Sequence, residues 1–388
     1  MKAYGFCRIS RSIALLYAAI AVPSTAQNGK VLVNFNGTDG AAPSAPLVQG
    51  ADGSLYGTTS IGGASAVGSL DGFGTVFKVT LSGALTALHS FNGIDGHYPS
   101  GLFLATDGNF YGTSSAGGNS TGTGLGTIFK IAPTGALTTL YTFRGLDRNP
   151  TGGLIQAGDG DFYGTTLVGG AYGPGMVFKM TPDGAVTTLH SFHTTDGANP
   201  NAPLIEGVDG NLYGTTEKGG AGGWGTIFKI SIEGEFTSLH SFSYDDGGRP
   251  EAALVQAASR NFYGMAPIGG ASGHGVVFEM TPEGTVTTLH SFHETDGARP
   301  FGGLTQASNG EIYGTTNFGG VDDCGTTFAM TPDGELTTLY SFDCTTAGHP
   351  GAALIEAGNG VLYGSTLDGG NTDPFAYGDG TLFSFVPR

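Results

Sequence analysis

Short apolar runs alternate with glycine-bearing turns along the chain. Each run is about five residues long, too short for a helix and suited to a strand. The unit around residues 202–250 shows the pattern. Ala202-Pro203-Leu204-Ile205-Glu206 turns at Asp209-Gly210 and continues as Leu212-Tyr213-Gly214-Thr215-Thr216, which predicts a hairpin. Asp-Gly between two apolar runs is what a type I′ turn requires, because both central residues must accept positive φ. After Gly219-Gly220, where the backbone is expected to turn sharply, the segments Gly225-Thr226-Ile227-Phe228-Lys229 and Phe236-Thr237-Ser238-Leu239-His240-Ser241-Phe242 flank a turn at Glu233-Gly234 and predict a second hairpin. These four strands, called a to d, form one unit, and Asp246-Gly247-Gly248-Arg249-Pro250 leads to the next.

The unit recurs. An apolar residue followed by Tyr-Gly marks it at Tyr56, Tyr111, Tyr163, Tyr213, Tyr263, Tyr313 and Tyr363, at spacings of 55, 52 and then 50 residues. Four strands in a period of this size is the pattern of a propeller blade rather than of a helical solenoid. The last unit stops after its strand c, Gly380-Thr381-Leu382-Phe383-Ser384, while Val31-Leu32-Val33-Asn34-Phe35 near the start matches a strand d with its linker. Pairing the two closes the ring and leaves no free sheet edge at the seam. The sequence therefore predicts an all-β fold, a seven-bladed β-propeller of four antiparallel strands per blade, with the N-terminal strand completing the last blade. Small pairs before each strand a, such as Gly152-Gly153, Ala202-Pro203 and Ala252-Ala253, fit the crowded axis, and the Phe-rich strands c and d fill the wider wedge between blades.

The submotifs Leu-Tyr-Gly-Thr-Thr, Gly-Gly, Gly-Thr-Ile-Phe-Lys, Leu-His-Ser-Phe and Asp-Gly, recurring in order over about residues 30 to 388, resemble the bacterial tandem repeat called GloVer, found in choice-of-anchor extracellular proteins. The resemblance implies an exported, propeller-like repeat protein and assigns no activity. Members often end in an apolar sorting segment, whereas this chain ends Phe385-Val386-Pro387-Arg388. The expectation is release rather than anchoring by that route.

Composition agrees with short strands and tight turns: 71 Gly and 18 Pro in 388 residues, with 39% hydrophobic residues, 25 Phe and 15 Tyr, which disfavours both disorder and collagen. Residues 1–26 read as a secretory signal. Lys2, Arg8 and Arg11 precede the apolar run Ile13 to Val22, and Ser24-Thr25-Ala26 supplies a cleavage site. That run is too short for a membrane span, which needs roughly 20 apolar residues. The mature chain, 27–388, is then a single domain with 12 Lys and Arg against 32 Asp and Glu, a net charge of −20. Such a surface repels phosphate backbones, so nucleic acid and anionic membranes are not expected partners. Secretion to an extracellular or periplasmic compartment and a monomeric state are expected. The two cysteines of the mature chain, Cys324 and Cys344, flank the hairpin that turns at Pro332-Asp333-Gly334, and an oxidising compartment favours a disulfide between them over two free thiols.

Reaction signatures are few. Gly118-Asn119-Ser120-Thr121-Gly122 fits the G-x-S-x-G pattern without the strand-turn-helix elbow that gives the motif meaning, so no catalytic residue is assigned from it. His89, His190, His240 and His290 occupy one position on strand d in separate blades, too dispersed to converge on a metal. The linker residues Asp39, Asp95, Asp196 and Asp296 suit turn chemistry.

Two features exceed the scaffold pattern. The first is a polar residue two places after the strand a Leu, at Gln49, Gln156, Glu206, Gln256, Gln306 and Glu356, with Leu104 in the remaining unit. Turned into the channel, these side chains would bind a neutral polar ligand; turned between blades, they would bond neighbouring backbone. The second is loop length after the Gly-Gly pair. Loops 64–73, 119–125 and 371–379 are long and belong to units that become neighbours when the ring closes. Their Asp71, Asp373 and Asp379 offer carboxylate oxygens to Ca²⁺, in a spacing that matches no calcium motif, and no other cofactor is expected. Trp224, the only tryptophan, is either a sugar platform or core. The sequence thus favours a non-catalytic binding module for an extracellular polysaccharide or protein. The alternative is a carbohydrate- or lactone-active enzyme at the channel mouth, with Glu206 or Glu356 as acid or base.

Overall fold

The computed structural model describes residues 29–64, 72–119, 123–370 and 378–387. The expected signal, 1–26, lies outside the described residues. Seven four-stranded antiparallel sheets make a seven-bladed propeller, with no helix among the described residues. The fourth blade consists of Ile205–Glu206, Leu212–Thr216, Thr226–Ile230 and Phe236–Ser241 as strands a to d. In the seventh blade Lys30–Asn34 takes the outer place beside Thr381–Phe385, with Lys30 opposite Ser384 and Asn34 opposite Thr381.

The repeated residues are explained by packing between and within blades. The strand b tyrosine is buried, and in the first, second and fourth blades its ring lies against a phenylalanine of the next blade, as for Tyr213 and Phe262 with centroids 4.3 Å apart. Each hydrophobic cluster therefore spans two blades. Gly214 is required for space: a Cβ there would sit 2.5 Å from Phe228 Cζ and 2.7 Å from Leu204 Cδ2. In five blades a hydroxyl near the end of strand b bonds the threonine that starts strand c, as Thr216 Oγ1 to Thr226 Oγ1 at 2.9 Å, and Thr226 Oγ1 donates to the carbonyl of linker Asp196. These buried hydroxyls satisfy one another.

The turn between strands a and b differs from the type I′ expectation. It is a four-residue turn in which Gly210 N donates to Gly207 O at 2.9 Å, with positive φ at Gly210 (+76°) and not at Asp209. Asp209 uses its carboxylate instead, accepting from Asn211 N at 3.2 Å and from Tyr213 Oη at 2.9 Å. Three blades add a lysine to this Tyr–Asp pair, as Lys78 with Asp52 at 2.6 Å.

Strand polarity fixes two unlike faces. The a–b and c–d turns share one face, and the b–c loops and d–a linkers share the other. The chain enters every strand a from the latter face.

Candidate functional site

On the face of the b–c loops and d–a linkers the channel opens into a cavity of about 510 Å³ lined by all seven blades. Its wall is made largely by residues that follow the linker prolines, joined by Ser60, Ser115, Asn317 and Leu367 near the end of strand b. The residue before that proline holds positive φ in all seven linkers, at Ala42, Tyr98, Asn149, Asn199, Arg249, Arg299 and His349. Non-glycine residues avoid this region, and two backbone hydrogen bonds hold it here. Arg299 N donates to His274 O at 2.8 Å, and Arg299 O accepts from Asn317 N at 3.1 Å. The side chains at these positions turn mostly to neighbouring loops, as Asn149 Nδ2 donates to Ser115 O at 3.1 Å and Asn199 Nδ2 to Leu167 O at 2.9 Å.

The residue after the proline lies in the cavity wall: Ser44, Thr151, Asn201, Glu251, Phe301 and Gly351, with one residue fewer in the second blade. Asn201 Nδ2 donates to Glu251 Oε2 at 3.5 Å. Glu217, which follows strand b of the fourth blade, pairs with Lys218 at 3.1 Å and more loosely with Arg249 at 3.9 Å. Burial, and then the negative charge of Glu217, push the Glu251 carboxyl above the usual range, partly opposed by Arg249. A neutral Glu251 would donate as well as accept a hydrogen bond. Across the opening Ser44 Oγ and Ser60 Oγ lie 2.7 Å apart.

The polar ring expected from sequence lies at the other end of strand a, where each side chain is engaged by the preceding blade. Gln156 Oε1 accepts from Thr106 N at 3.0 Å, and Gln256 Oε1 from Val208 N at 2.9 Å. Gln306 Oε1 accepts from Ala258 N at 3.3 Å, and Gln49 Oε1 from Gly358 N at 2.8 Å. Glu206 accepts from Gly158 N at 3.1 Å, and Glu356 from Ser308 N and Oγ at 2.7 Å each. The structure does not bring Glu206 or Glu356 to the cavity wall.

Trp224 is half-buried, packing on the core between the fourth and fifth blades, with Tyr244 at 4.9 Å between centroids. Asp71 and Asp373 lie outside the described residues. Asp379 does not: burial and the charge of Asp39 push its carboxyl upward. Cys324, in a b–c loop, and Cys344, in a linker, form the disulfide with Cα atoms 5.4 Å apart. The strand d histidines, dispersed as expected, reach the linker aspartates, as His240 Nε2 to Asp246 Oδ2 at 2.8 Å.

The Glu217, Glu251 and Asn201 group was not found from sequence. The signal was present: aligned on the linker prolines, the units differ at these positions while the rest of the repeat holds nearly constant.

A family model described as the Gloeobacter/Verrucomicrobia repeat matches residues 19–158 and 149–383. The chain belongs to this family. No curated protein matches it at a significant level. Among solved structures, the repeat protein is similar to the extracellular domain of a hybrid two-component system of B. thetaiotaomicron, at TM-score 0.57 and 13% identity over 93% of this chain. It spans 41% of that domain's length. It is also similar to a protein named as a 6-phosphogluconolactonase of Bacteroides uniformis, at TM-score 0.51 and 16% identity over 76% of this chain and 83% of that one. A periplasmic gluconolactonase of Pseudomonas aeruginosa follows at TM-score 0.50 and 18% identity, over 81% and 92%. At these identities the likeness shows the fold alone.

Proposed function

We propose that this is an exported, non-catalytic binding module whose ligand, an extracellular polysaccharide, sits at the channel mouth on the face of the b–c loops and linkers. One internal comparison carries the reading. The cavity-wall residue that follows the linker proline differs in each of six blades: Ser44, Thr151, Asn201, Glu251, Phe301 and Gly351. Exposure alone does not produce such variation, because the second residue of the outer strand is exposed and still Thr at Thr86, Thr138, Thr187, Thr237 and Thr287. A rigid scaffold with a diversified face is how binding surfaces are built on repeats. The hydroxyl, amide and carboxyl groups of the cavity beside Phe301 and Tyr98 suit a polyol with an apolar ring face.

The test is a glycan array with mature protein, repeated with Asn201→Ala and Phe301→Ala. The reading expects glycan binding that these variants weaken, and unchanged binding would overturn it. A second reading, a lactone- or carbohydrate-active enzyme, is favoured by the raised Glu251 beside Glu217, and two of the structural neighbours are named as lactonases. It predicts hydrolysis of an aldonolactone that Glu251→Gln abolishes; no turnover by the parent protein would discard it.

A further inference from the structure

One corner of the loop face departs from the repeat at four positions at once. Cys324 lies in the b–c loop of the sixth blade, Cys344 in the linker that follows, His349 just before the linker proline, and Asp368 after strand b of the seventh blade. In no other unit does the matching position carry the same residue. Here the four meet. Both sulfurs and a ring nitrogen of His349 lie within 4.8 Å of one another. The backbone holds the group together: His349 N donates to Cys324 O at 2.9 Å, and His349 O accepts from Leu367 N at 3.2 Å. The imidazole is fixed on two sides, by Asp368 Oδ2 at 2.8 Å from Nδ1 and by the ring of Phe318 at 5.0 Å between centroids. Asp343 accepts from Thr345 N and Thr346 N at 3.0 and 2.8 Å, which holds the turn after Cys344. A disulfide needs its two cysteines at the right spacing and neither a histidine nor a carboxylate beside them. Those two residues call for a second role.

We propose that this corner is a redox-gated metal site: once the disulfide is opened, the Cys324 and Cys344 thiolates and the His349 imidazole bind one thiophilic divalent ion such as zinc. Cys324 is buried and Cys344 exposed, so a reductant reaches the pair from the Cys344 side. A dithiol supplies the two electrons and two protons that turn the cystine into two thiols, and itself becomes a disulfide. The ion then displaces both thiol protons as the two metal–sulfur bonds form. Two thiolates and an imidazole are a zinc donor set, and three protein ligands leave a fourth position for water or another donor. Asp368 is a positioning residue, in the place that carboxylates take behind metal-binding histidines. The spacing suits an ion. With Zn–S of about 2.3 Å and tetrahedral angles, two sulfurs stand ~3.8 Å apart. The sulfurs have only to part to that distance, and the imidazole is already within reach. The site does not depend on the glycan reading.

The experiment takes residues 27–388, reduced with a dithiol that is then removed under nitrogen, and titrates them with Co²⁺ as a spectroscopic substitute for Zn²⁺. One ion per chain should bind, with thiolate-to-metal charge-transfer absorption in the near ultraviolet and the visible bands of a tetrahedral ion, and Zn²⁺ should displace it. The oxidised protein should show neither. Zn²⁺ should also restore to the reduced protein the Tm lost on reduction, and leave the Tm of the oxidised protein unchanged. His349→Ala should weaken Zn²⁺ binding by about tenfold or more, and Asp368→Asn by about tenfold, with the charge-transfer band of the sulfurs kept in place. His240→Ala, in a strand d pair of another blade, should leave affinity within about twofold of the parent. Binding without the charge-transfer band would put the ion elsewhere and overturn the proposal. Affinity unchanged by His349→Ala, or an equal loss in His240→Ala, would overturn it too. So would a reduced chain that neither binds Zn²⁺ nor regains stability with it.

Discussion

Gln49 and Gly358 are 309 residues apart in the chain and hydrogen-bonded, the Gln49 Oε1 accepting from Gly358 N at 2.8 Å. The bond joins the first blade to the last at the inner edge of the blade whose outer edge is closed by Lys30–Asn34 pairing with Thr381–Phe385. Deleting residues 27–34 would leave Thr381–Phe385 an open edge, the form of strand that recruits another chain. The truncated protein is expected to aggregate or to form concentration-dependent dimers by light scattering, with parent protein monomeric. A monodisperse truncated monomer with unchanged Tm would contradict closure by the N-terminal strand.

The glycine of the Tyr-Gly marker is a packing residue. Gly214→Ala places a methyl group within 2.7 Å of both Phe228 and Leu204, in a core with no room to yield. Overpacking of this kind costs about 1–3 kcal/mol. Urea denaturation should show that loss, and a variant as stable as the parent would show that the blade relaxes freely.

The disulfide ties the b–c loop to the linker in the sixth blade across a separation of 20 residues. A cross-link over a loop of that size stabilises by about 3 kcal/mol in the chain-entropy account. Cys324→Ser with Cys344→Ser should therefore lower the stability of the folded chain by a similar amount, measured under non-reducing conditions. An unchanged denaturation midpoint would mean that the cysteines are unpaired in solution.

Glu251 gives a pH signature with a definite sign. Its folded pKa lies above the ordinary value of 4.5 because burial and Glu217 disfavour the charge. The folded state then holds this proton more tightly than the unfolded chain. The stability it contributes is present below pH 4.5 and is lost as pH rises through the folded pKa. Glu251→Gln removes this dependence, so the difference in stability between parent and variant should shift in the variant's favour as pH rises over that window. A difference that does not change with pH would show that Glu251 ionises normally.

The fold was legible in the sequence because Tyr-Gly recurs seven times, once per blade, and an unmatched strand at either end marks the seam. The turn between strands a and b was misread because Asp-Gly alone does not report loop length. Its aspartate serves the tyrosine hydroxyl rather than a positive φ. Repetition also misled the search for a site. The ring from Gln49 to Glu356 stood out by recurring, and recurrence here marks bonds between blades. Glu217, Glu251 and Asn201 were passed over because they do not recur, and non-recurrence is what distinguishes this cavity. Asn201 and Glu251 reach the wall from linkers whose residue before the proline, Asn199 or Arg249, is left-handed, a conformation that pattern reading disfavours.

The account as a whole turns on which face binds. The direct measurement compares glycan affinity for two triple variants of residues 27–388, one at the mouth (Asn201→Ala, Glu251→Gln, Phe301→Ala) and one on the opposite face (Asp209→Asn, Val208→Ser, Arg260→Gln). Loss of binding by about tenfold or more in the first and near-parent affinity in the second is the expected result. Full affinity in the first together with loss in the second would place the ligand on the other face and contradict it.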